Sequence, residues 1–371
     1  MVCGLALASC TPPLPPDAAA AVAEKTIVCV PGNQEVQVPE YLVNALTFVS
    51  STLTGQCPEQ SITFLADDKP RDVVFVDHPP FDQEIANFEK FCASPVLIAP
   101  VFGVTSVIGF NIIGLDGLVL TPQAVAGILD GSITAWNDPL IAEANDGYEL
   151  DATPITFMHL DTPDGRTAAI TGWLAKDAPE SWSLGQVDVL ETGQSFKTEQ
   201  ELLDAFNTTE GAVAILPNFA AAQNVIPTAV LPIQGVDINP VDTDLPKIGI
   251  AATEYEVTDE GYMIASHAVG GVPVEGQFDA AAARIVILPD TEELGWPAIA
   301  MTHVMACDDP ARPLAKSTAQ FMIRLVAQGV LETGGLTPLS EPVRVLTFPA
   351  LKVEVPTDPE ALLEDEAGAG S

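Results

Sequence analysis

Short apolar runs alternate with segments of helical spacing through most of the chain, which is typical of a mixed α/β fold. The runs that are bounded by turn residues predict strands at Thr26–Val30, Ile62–Leu65, Val73–Val76, Pro154–Met158, Ala212–Leu216 and Ala298–Met305. Two further runs, Pro95–Val104 and Val107–Ile113, are almost continuously apolar. Because this pattern is typical of strands covered on both sides of a sheet, we expect both strands to be fully buried.

Helices are predicted where apolar residues recur at helical spacing or where capping residues precede them. These signals place helices over Tyr41–Leu53, from Pro122 to Leu129, from near Thr167, after Thr198 and over Pro313–Gln328. Thr121 followed by Pro122 is a helix start, because Thr caps and Pro suits the first helical position. Thr198 with Glu201 forms a capping box.

Composition and charge narrow the class of protein. Of 371 residues, 47% are hydrophobic, which excludes disorder over the whole length. Asp and Glu number 51 against 14 Lys and Arg, so the formal net charge is −37. Nucleic-acid binding and attraction to anionic lipid both need clustered cations, and the sequence excludes both classes. No apolar run approaches the roughly 18 residues of a membrane-spanning helix.

The first residues resemble those of an exported lipoprotein. Met1–Ala8 is short and apolar, and Leu7–Cys10 (LASC) resembles a bacterial lipobox, in which the cysteine is acylated. A Pro/Ala-rich stretch follows, stiff enough to hold a domain away from a membrane. We therefore predict a lipoprotein-like signal and tether over residues 1–24, lipidation at Cys10 and membrane contact only through that anchor. The alternative is a chance LASC in an Ala-rich leader, since the positively charged start of a signal peptide is missing.

Four further cysteines predict disulfides outside the cytoplasm. Cys29, Cys57, Cys92 and Cys307 are even in number and form no CxxC motif, which fits two disulfides better than a metal site. Neighbour order favours Cys29–Cys57 and Cys92–Cys307. Four cysteines allow three connectivities, and the sequence does not choose among them.

Motifs of the common enzyme classes are missing from the sequence. It contains no GxSxG, HExxH, GxxxxGK or GxGxxG pattern. His78, His159, His267 and His303 are dispersed, with no pair at i,i+4. His303 lies within an apolar strand pattern, where we interpret it as a core histidine. We predict no enzymatic activity, no cofactor and no metal site.

One long stretch carries a family resemblance. In Leu120–Asn145, a helix after a Leu-Thr step precedes the pattern G-x-I-x-x-W-x-D-P-x-I-x-x-x-N. This stretch resembles the substrate-binding proteins of phosphate ABC importers (the PstS family), and weaker matches extend the resemblance over roughly residues 70–350. It implies a two-lobe type II periplasmic-binding-protein fold of the α/β class with crossing hinge strands and a ligand between the lobes. We interpret Trp136 and Asp138 as a packed aromatic residue and a helix N-cap, not as ligand contacts.

The resemblance also implies a division of the chain. Residues 25–95 and 298–355 would form lobe 1 and residues 103–295 lobe 2, with the crossing strands side by side at the junction. Cys92 precedes one crossing strand and Cys307 follows the other, so their sulfurs would meet near the hinge. Residues 356–371 are acidic and rich in Gly and Ala, and they predict a disordered tail.

The ligand residues of the family match this sequence poorly. In such proteins, helix N-terminal N–H groups, hydroxyls, one Arg and an Asp hold a dehydrated oxyanion. The family's R-x-x-G-S-G-T loop aligns with the segment from Leu160 to Arg166. Leu160 then stands in place of the Arg, Asp164 in place of the Ser and Arg166 in place of the Thr. Only Gly165 agrees.

The resemblance implies a ligand site even so. Its residues would be Asp164, Gly165, Arg166 and Thr167, with Arg166 as the only plausible cation, and Asp77 facing them across the lobes. A carboxylate at Asp164 is a good helix N-cap, but it competes with a bound anion for the same N–H groups. We therefore expect phosphate to bind weakly, and a cationic or zwitterionic solute to suit the two carboxylates better.

Two functional hypotheses remain. The first is an extracytoplasmic, lipid-anchored solute-binding protein that delivers phosphate or a related oxyanion to an ABC permease. The second is a divergent member of the same family that serves as a surface or accessory structural protein and no longer binds phosphate. The first is favoured by the resemblance and the lipobox, and the second by Leu160 and Asp164 in place of the family's Arg and Ser.

Overall fold

The computed structural model describes residues 20, 23–115, 117–233, 236–238, 250–273, 277–279, 284–287 and 289–354. The helices are α1 (Leu42–Ala45), α2 (Thr47–Gln56), α3 (Asp82–Cys92), α4 (Pro122–Asp130), α5 (Pro139–Ala142), α6 (Gly165–Asp177), α7 (Glu199–Thr208), α8 (Asn218–Gln223), α9 (Pro313–Met322), α10 (Leu325–Leu331) and α11 (Glu341–Leu346). The strands are β1 (Gly32–Gln37), β2 (Gln60–Leu65), β3 (Val73–Val76), β4 (Val96–Asn111), β5 (Thr156–Leu160), β6 (Gln194–Phe196), β7 (Ala212–Pro217), β8 (Leu231–Ile233), β9 (Val236–Ile238), β10 (Ile250–Val257), β11 (Met263–Pro273), β12 (Gln277–Asp279), β13 (Arg284–Ile287), β14 (Pro289–Leu294) and β15 (Ile299–Cys307).

Strand β4 runs through both halves of the sheet. It pairs antiparallel with β15 from Val96 to Thr105, and antiparallel with β7 from Ser106 to Asn111. Every residue before Asn111 in the strand is buried, as its continuous apolar pattern predicts. The sequence predicts two strands here, and the structure instead has one strand of 16 residues.

The two halves of the sheet meet at this crossing. On one side, β3 pairs with β15 and β1 pairs in parallel with β2 and β3. On the other side, β5 pairs in parallel with β6 and β7. Loops at the ends of β3 and β5 therefore lie on opposite sides of the crossing strands. The boundaries of the two predicted lobes stay a prediction.

The first predicted strand is wrong. Thr26–Val30 forms no strand, because the Thr26 N–H and hydroxyl both donate to the Ala23 carbonyl and turn the chain. Val28 is 68% exposed. The strand of this region is β1, a mostly polar segment whose inward positions include the buried Gln34, and for this reason hydrophobic alternation does not reveal it.

Two predicted helices are each interrupted. The helix expected over Tyr41–Leu53 breaks at Leu46 into α1 and α2, and the Thr47 hydroxyl donates to the Asn44 carbonyl at the break. The helix expected over Pro313–Gln328 breaks after Met322 into α9 and α10. There the Gln328 amide donates to the Met322 carbonyl and so satisfies the end of α9. Side-chain hydrogen bonds to helix carbonyls thus replace the missing turns.

The four predicted cysteines form two disulfides in the structure. Cys29 is bonded to Cys57 with a Cα–Cα distance of 5.5 Å, and Cys92 is bonded to Cys307 with 5.4 Å. The second bond joins the end of α3 to the end of β15, beside the crossing strands. These are the pairs that neighbour order favours.

Two predicted terminal segments lie outside the described residues. They are the lipidation site at Cys10 with most of the tether, and the tail at 356–371. The last residues of the predicted tether are packed, since Ala23 is buried and the Glu24 carboxylate accepts from Arg344. In the part of the chain that the structure describes, no helix is long and apolar enough to cross a membrane.

Candidate functional site

A cavity of about 340 Å³ lies between the two halves of the sheet. One wall is the start of α1 with the loop that follows β3, and the other is the loop that precedes α6 with the start of α7. Its charged lining residues are Glu40, Asp67, Asp68, Asp77, His78, Asp164, Arg166, Lys197 and Glu199. The cavity therefore has the position that a ligand cleft between two lobes requires.

The amino terminus of α6 is occupied by a carboxylate of the chain itself. Asp164 is the N-cap, as predicted, and one of its oxygens accepts from the Arg166 N–H at 3.0 Å and from the Arg166 Nε at 2.8 Å. The Thr167 hydroxyl lies 3.5 Å from the other oxygen. Burial raises the pKa of Asp164, and the charge of Arg166 offsets this only in part. An anion entering the cavity would meet this carboxylate at the helix end.

Arg166 is enclosed on several sides. Its two terminal nitrogens donate to the two oxygens of Glu199 at 2.9 and 3.0 Å, and its guanidinium carbon lies 4.4 Å from the ring centroid of Tyr41. The side chain is 1% exposed. Burial by itself would lower the pKa of Arg166, but the charges of Asp164 and Glu199 outweigh it and raise this pKa. The cation is thus retained and neutralised within the protein.

Asp77 faces Arg166 from the opposite wall. Its carboxylate accepts from the Tyr41 hydroxyl at 2.8 Å and lies 3.3 Å from His78 Nδ1. Burial alone would raise the pKa of Asp77, but the hydrogen bonds and charges of His78, Tyr41 and Arg166 lower it. Burial and the charge of Asp77 raise the pKa of Tyr41, whose hydroxyl therefore stays protonated.

The cavity lining also includes the cations Lys197 and His78, which corrects the expectation that Arg166 is the only one. Lys197 is exposed, whereas His78 is buried. Its ring nitrogens bond to Asp77 and Glu84, with 3.0 Å from Nε2 to a Glu84 oxygen. Burial opposes the charged ring, but these two carboxylates raise the pKa of His78 to about 10. The imidazolium is therefore held by protein carboxylates and has no nitrogen left for an anion.

The two histidines predict a maximum of stability near pH 6.5. Below that pH, His78 contributes fully, and its contribution is lost as the pH rises toward its folded pKa of about 10. His303 behaves oppositely, because burial and the charge of His78 lower its pKa to about 3, so its contribution is lost as the pH falls toward 3. Each slope is at most roughly 1.4 kcal/mol per pH unit. Urea unfolding between pH 4 and 10 measures the loss of stability on the acid and on the alkaline side of the maximum. The variant His78→Gln should lose less stability on the alkaline side. A wild-type stability that stays constant from pH 7 to 9 would contradict the assignment for His78.

The structure brings the predicted ligand residues close together, but of these only Asp77, Asp164 and Arg166 line this cavity. Asp77, Asp164, Gly165, Arg166 and Thr167 lie together, although their roles toward a ligand stay proposals. Among the described residues, no group of His, Cys, Asp or Glu could hold a metal ion.

Sequence reasoning missed Tyr41 and Glu199. It assigned Tyr41 to an apolar helix face, and it assigned the acidic turn after Thr198 to helix capping. A Glu directly after an N-cap gives no signal of its own, because acidic residues are common in the first turn of any helix. Trp136 and Asp138 are structural, as predicted: the indole donates to the Gly211 carbonyl, and Asp138 caps α5.

Comparisons with known proteins agree with this architecture. The family model of the PBP superfamily domain matches residues 49–283. The chain is 25% identical over 231 residues to the phosphate-binding protein PstS 3 of Mycobacterium leprae (strain TN), covering 59% of this chain and 62% of that protein. It is 33% identical over 103 residues to PstS 2 of Mycobacterium tuberculosis (strain ATCC 25618 / H37Rv), covering 28% of each. The chain thus matches less than two thirds of the length of either relative.

Two solved structures resemble the fold of the chain. One is a high-affinity periplasmic phosphate-binding protein (PfluDING) bound with phosphate, and the other is an ancestral soluble variant of the human phosphate-binding protein. Each is 14% identical, with a TM-score of 0.57, and the match covers 85% of this chain and 93% of that structure. At this identity the likeness concerns the fold alone.

Proposed function

Since the chain belongs to the PBP superfamily and has the predicted type II periplasmic-binding-protein fold, we propose that it is an extracytoplasmic solute-binding protein, not an enzyme, with a degenerate anion site. Its cleft receives a small cationic or zwitterionic solute in preference to phosphate dianion. The relatives named as phosphate-binding proteins support solute binding, and the two disulfides support an oxidising location.

The observation that carries the proposal is the state of Arg166. Its Nε is bonded to Asp164 and its terminal nitrogens to Glu199, so the guanidinium is already neutralised. Asp77 adds a further carboxylate, and its pKa is lowered, so it stays ionised. Phosphate dianion would bring two more negative charges into a cleft whose acids outnumber its cations. Like charges in a poorly solvated cavity repel strongly.

The same inventory favours a positive group. An ammonium ion in the cavity would lie among Asp77, Asp164 and Glu199, whose oxygens accept hydrogen bonds. Glu40 and Asp68 add negative potential at the rim, which the lining cation Lys197 offsets in part.

We expect inorganic phosphate to bind the full chain with a Kd of about 0.1 mM or weaker, which is about 5.5 kcal/mol or less. Isothermal titration calorimetry at pH 7 measures it, with ethylamine, choline and glycine as cationic and zwitterionic probes. A phosphate Kd in the micromolar range would refute the preference for positive solutes. The Asp164→Ser variant, which restores a hydroxyl cap, provides the matched comparison. We expect it to bind phosphate more tightly than the native chain does.

An accessory structural role is the second candidate, and the closed ion-pair network favours it because Arg166 is satisfied without a ligand. A thermal melt with the cationic and zwitterionic probes distinguishes the two roles. A solute that binds raises the melting midpoint of a receptor, whereas the midpoint of a purely structural protein stays unchanged. Lipidation of Cys10 and docking to an ABC permease belong to the first role, and we propose them from the lipobox and from the sequence resemblance to the substrate-binding proteins of ABC importers.

A further inference from the structure

Glu199 has a position that capping of its own helix does not explain. It is the first residue of α7, but the cap of that helix is Thr198, whose hydroxyl accepts from the Glu201 N–H at 3.2 Å. Both Glu199 oxygens instead accept from the terminal nitrogens of Arg166, at 2.9 and 3.0 Å. The Glu199 side chain is 11% exposed and that of Arg166 only 1%.

This paired geometry is the one in which a guanidinium binds a carboxylate or phosphate ligand. Two parallel N–H···O bonds from the same fork give strength and direction. The remaining sides of Arg166 are covered by Asp164 at Nε and by the ring of Tyr41. An external anion can therefore reach the end of the fork only where Glu199 now lies.

We propose that Glu199 is a tethered anion that determines the specificity of the cleft. It occupies the position at Arg166 that the anionic group of a ligand would take. The proposal rests on the proposed solute-binding function and narrows its ligand class from cations and zwitterions to cations that carry no anionic group.

Because Glu199 is attached to the chain, its carboxylate is favoured over a free ligand carboxylate at Arg166. A group attached by a short chain has an effective concentration in the millimolar range or above, whereas a free carboxylate pays the full entropy of association. A zwitterion would have to displace Glu199 and leave that carboxylate without its partner. A simple ammonium ion leaves the Arg166–Glu199 pair intact and uses the oxygens of Asp77 and Asp164.

Glu199→Ala tests the proposal, because it leaves a space at Arg166 that a small free carboxylate can fill. Sodium acetate is the probe, with sodium chloride at equal ionic strength as the reference, and calorimetry and thermal melting are the measurements. We expect acetate to bind Glu199→Ala at least tenfold more tightly than the native chain, and to raise the melting midpoint of this variant only. Glu201→Ala is the matched control, since Glu201 lies in the same helix turn, is exposed and bonds the Lys197 N–H instead of Arg166.

A second readout applies if the alanine variant folds poorly. Refolding yield of Glu199→Ala and Glu199→Ser should then be higher in acetate than in chloride, while the native chain shows no difference. Acetate responses equal to those of the native chain, in both variants, would overturn the proposal. So would native binding of glycine as tight as that of ethylamine. If acetate rescues the variants but the native chain binds none of the cationic probes, the tethered anion stands and the proposed function fails.

Discussion

Replacing Arg166 by Met should lower the free energy of unfolding by about 3–5 kcal/mol, because it removes the cation from a buried group of carboxylates. Asp164, Glu199 and Asp77 would then face one another with no guanidinium among them, in a region where Arg166 is 1% exposed. Breaking a buried ion pair by deleting one partner leaves an uncompensated charge, which costs more than the pair itself contributes. Urea unfolding at pH 7 measures the loss.

Two further variants separate this effect from a simple loss of packing. Arg312→Met removes a cation that also pairs with two acids, Asp72 and Asp309, but its side chain is 38% exposed, so we expect a loss of less than about 1 kcal/mol. The double variant with Arg166→Met and Glu199→Met should recover much of the stability, since apolar residues often replace a buried ion pair at little cost. If Arg166→Met costs no more than Arg312→Met, the buried network does not stabilise the fold.

Hydrophobic patterning predicted the strands that form the centre of this fold. β3, β7 and β15 lie within a residue or two of their predicted bounds, because each is an apolar run, and β7 and β15 are buried along their whole length. The sequence pattern divides β4 in two at Thr105 and Ser106, which are polar but buried in the strand, where the Thr105 hydroxyl is hydrogen-bonded to that of Thr337. Hydrophobic patterning did not predict β1, because a polar residue, Gln34, occupies one of its buried positions.

Helix starts were predictable and helix breaks were not. Thr121, Asp164 and Thr198 each cap the helix expected of them through a side-chain oxygen. At the breaks at Leu46 and after Met322, Thr47 donates to the Asn44 carbonyl and Gln328 to the Met322 carbonyl. Neither Thr nor Gln is a helix stop signal, so the sequence pattern did not report these breaks.

The candidate site, too, was predictable from the sequence only in part. The family resemblance placed Asp77, Gly165 and Arg166 near one another, but it could not show that Arg166 is already bound. That depends on Glu199, which is 33 residues away in the chain, and on Tyr41 from the opposite wall. A site whose ligand position is filled by its own protein differs from an open one only in three-dimensional contacts. The identity of the solute therefore has to be determined by titration, because the motif does not specify it.

Gly165→Ala should disrupt the closed cleft more than any other single methyl group added at the site. A Cβ at Gly165 would lie 1.6 Å from the Asp77 carbonyl oxygen and 2.5 Å from its carbon, both of them backbone atoms. Relief requires the amino terminus of α6 to move away from the loop after β3, which separates Asp77 from Arg166. Overpacking costs typically 1–3 kcal/mol, and we expect about 3 kcal/mol here because backbone cannot rotate aside. Small-angle scattering should also show a larger radius of gyration.

Gly329→Ala is the control of opposite sign. Gly329 lies within α10 with nothing within 4 Å of the added carbon, so the variant should stabilise the fold by about 0.5–1 kcal/mol. A Gly165→Ala protein as stable and compact as the native chain would show that the two walls do not meet at this residue.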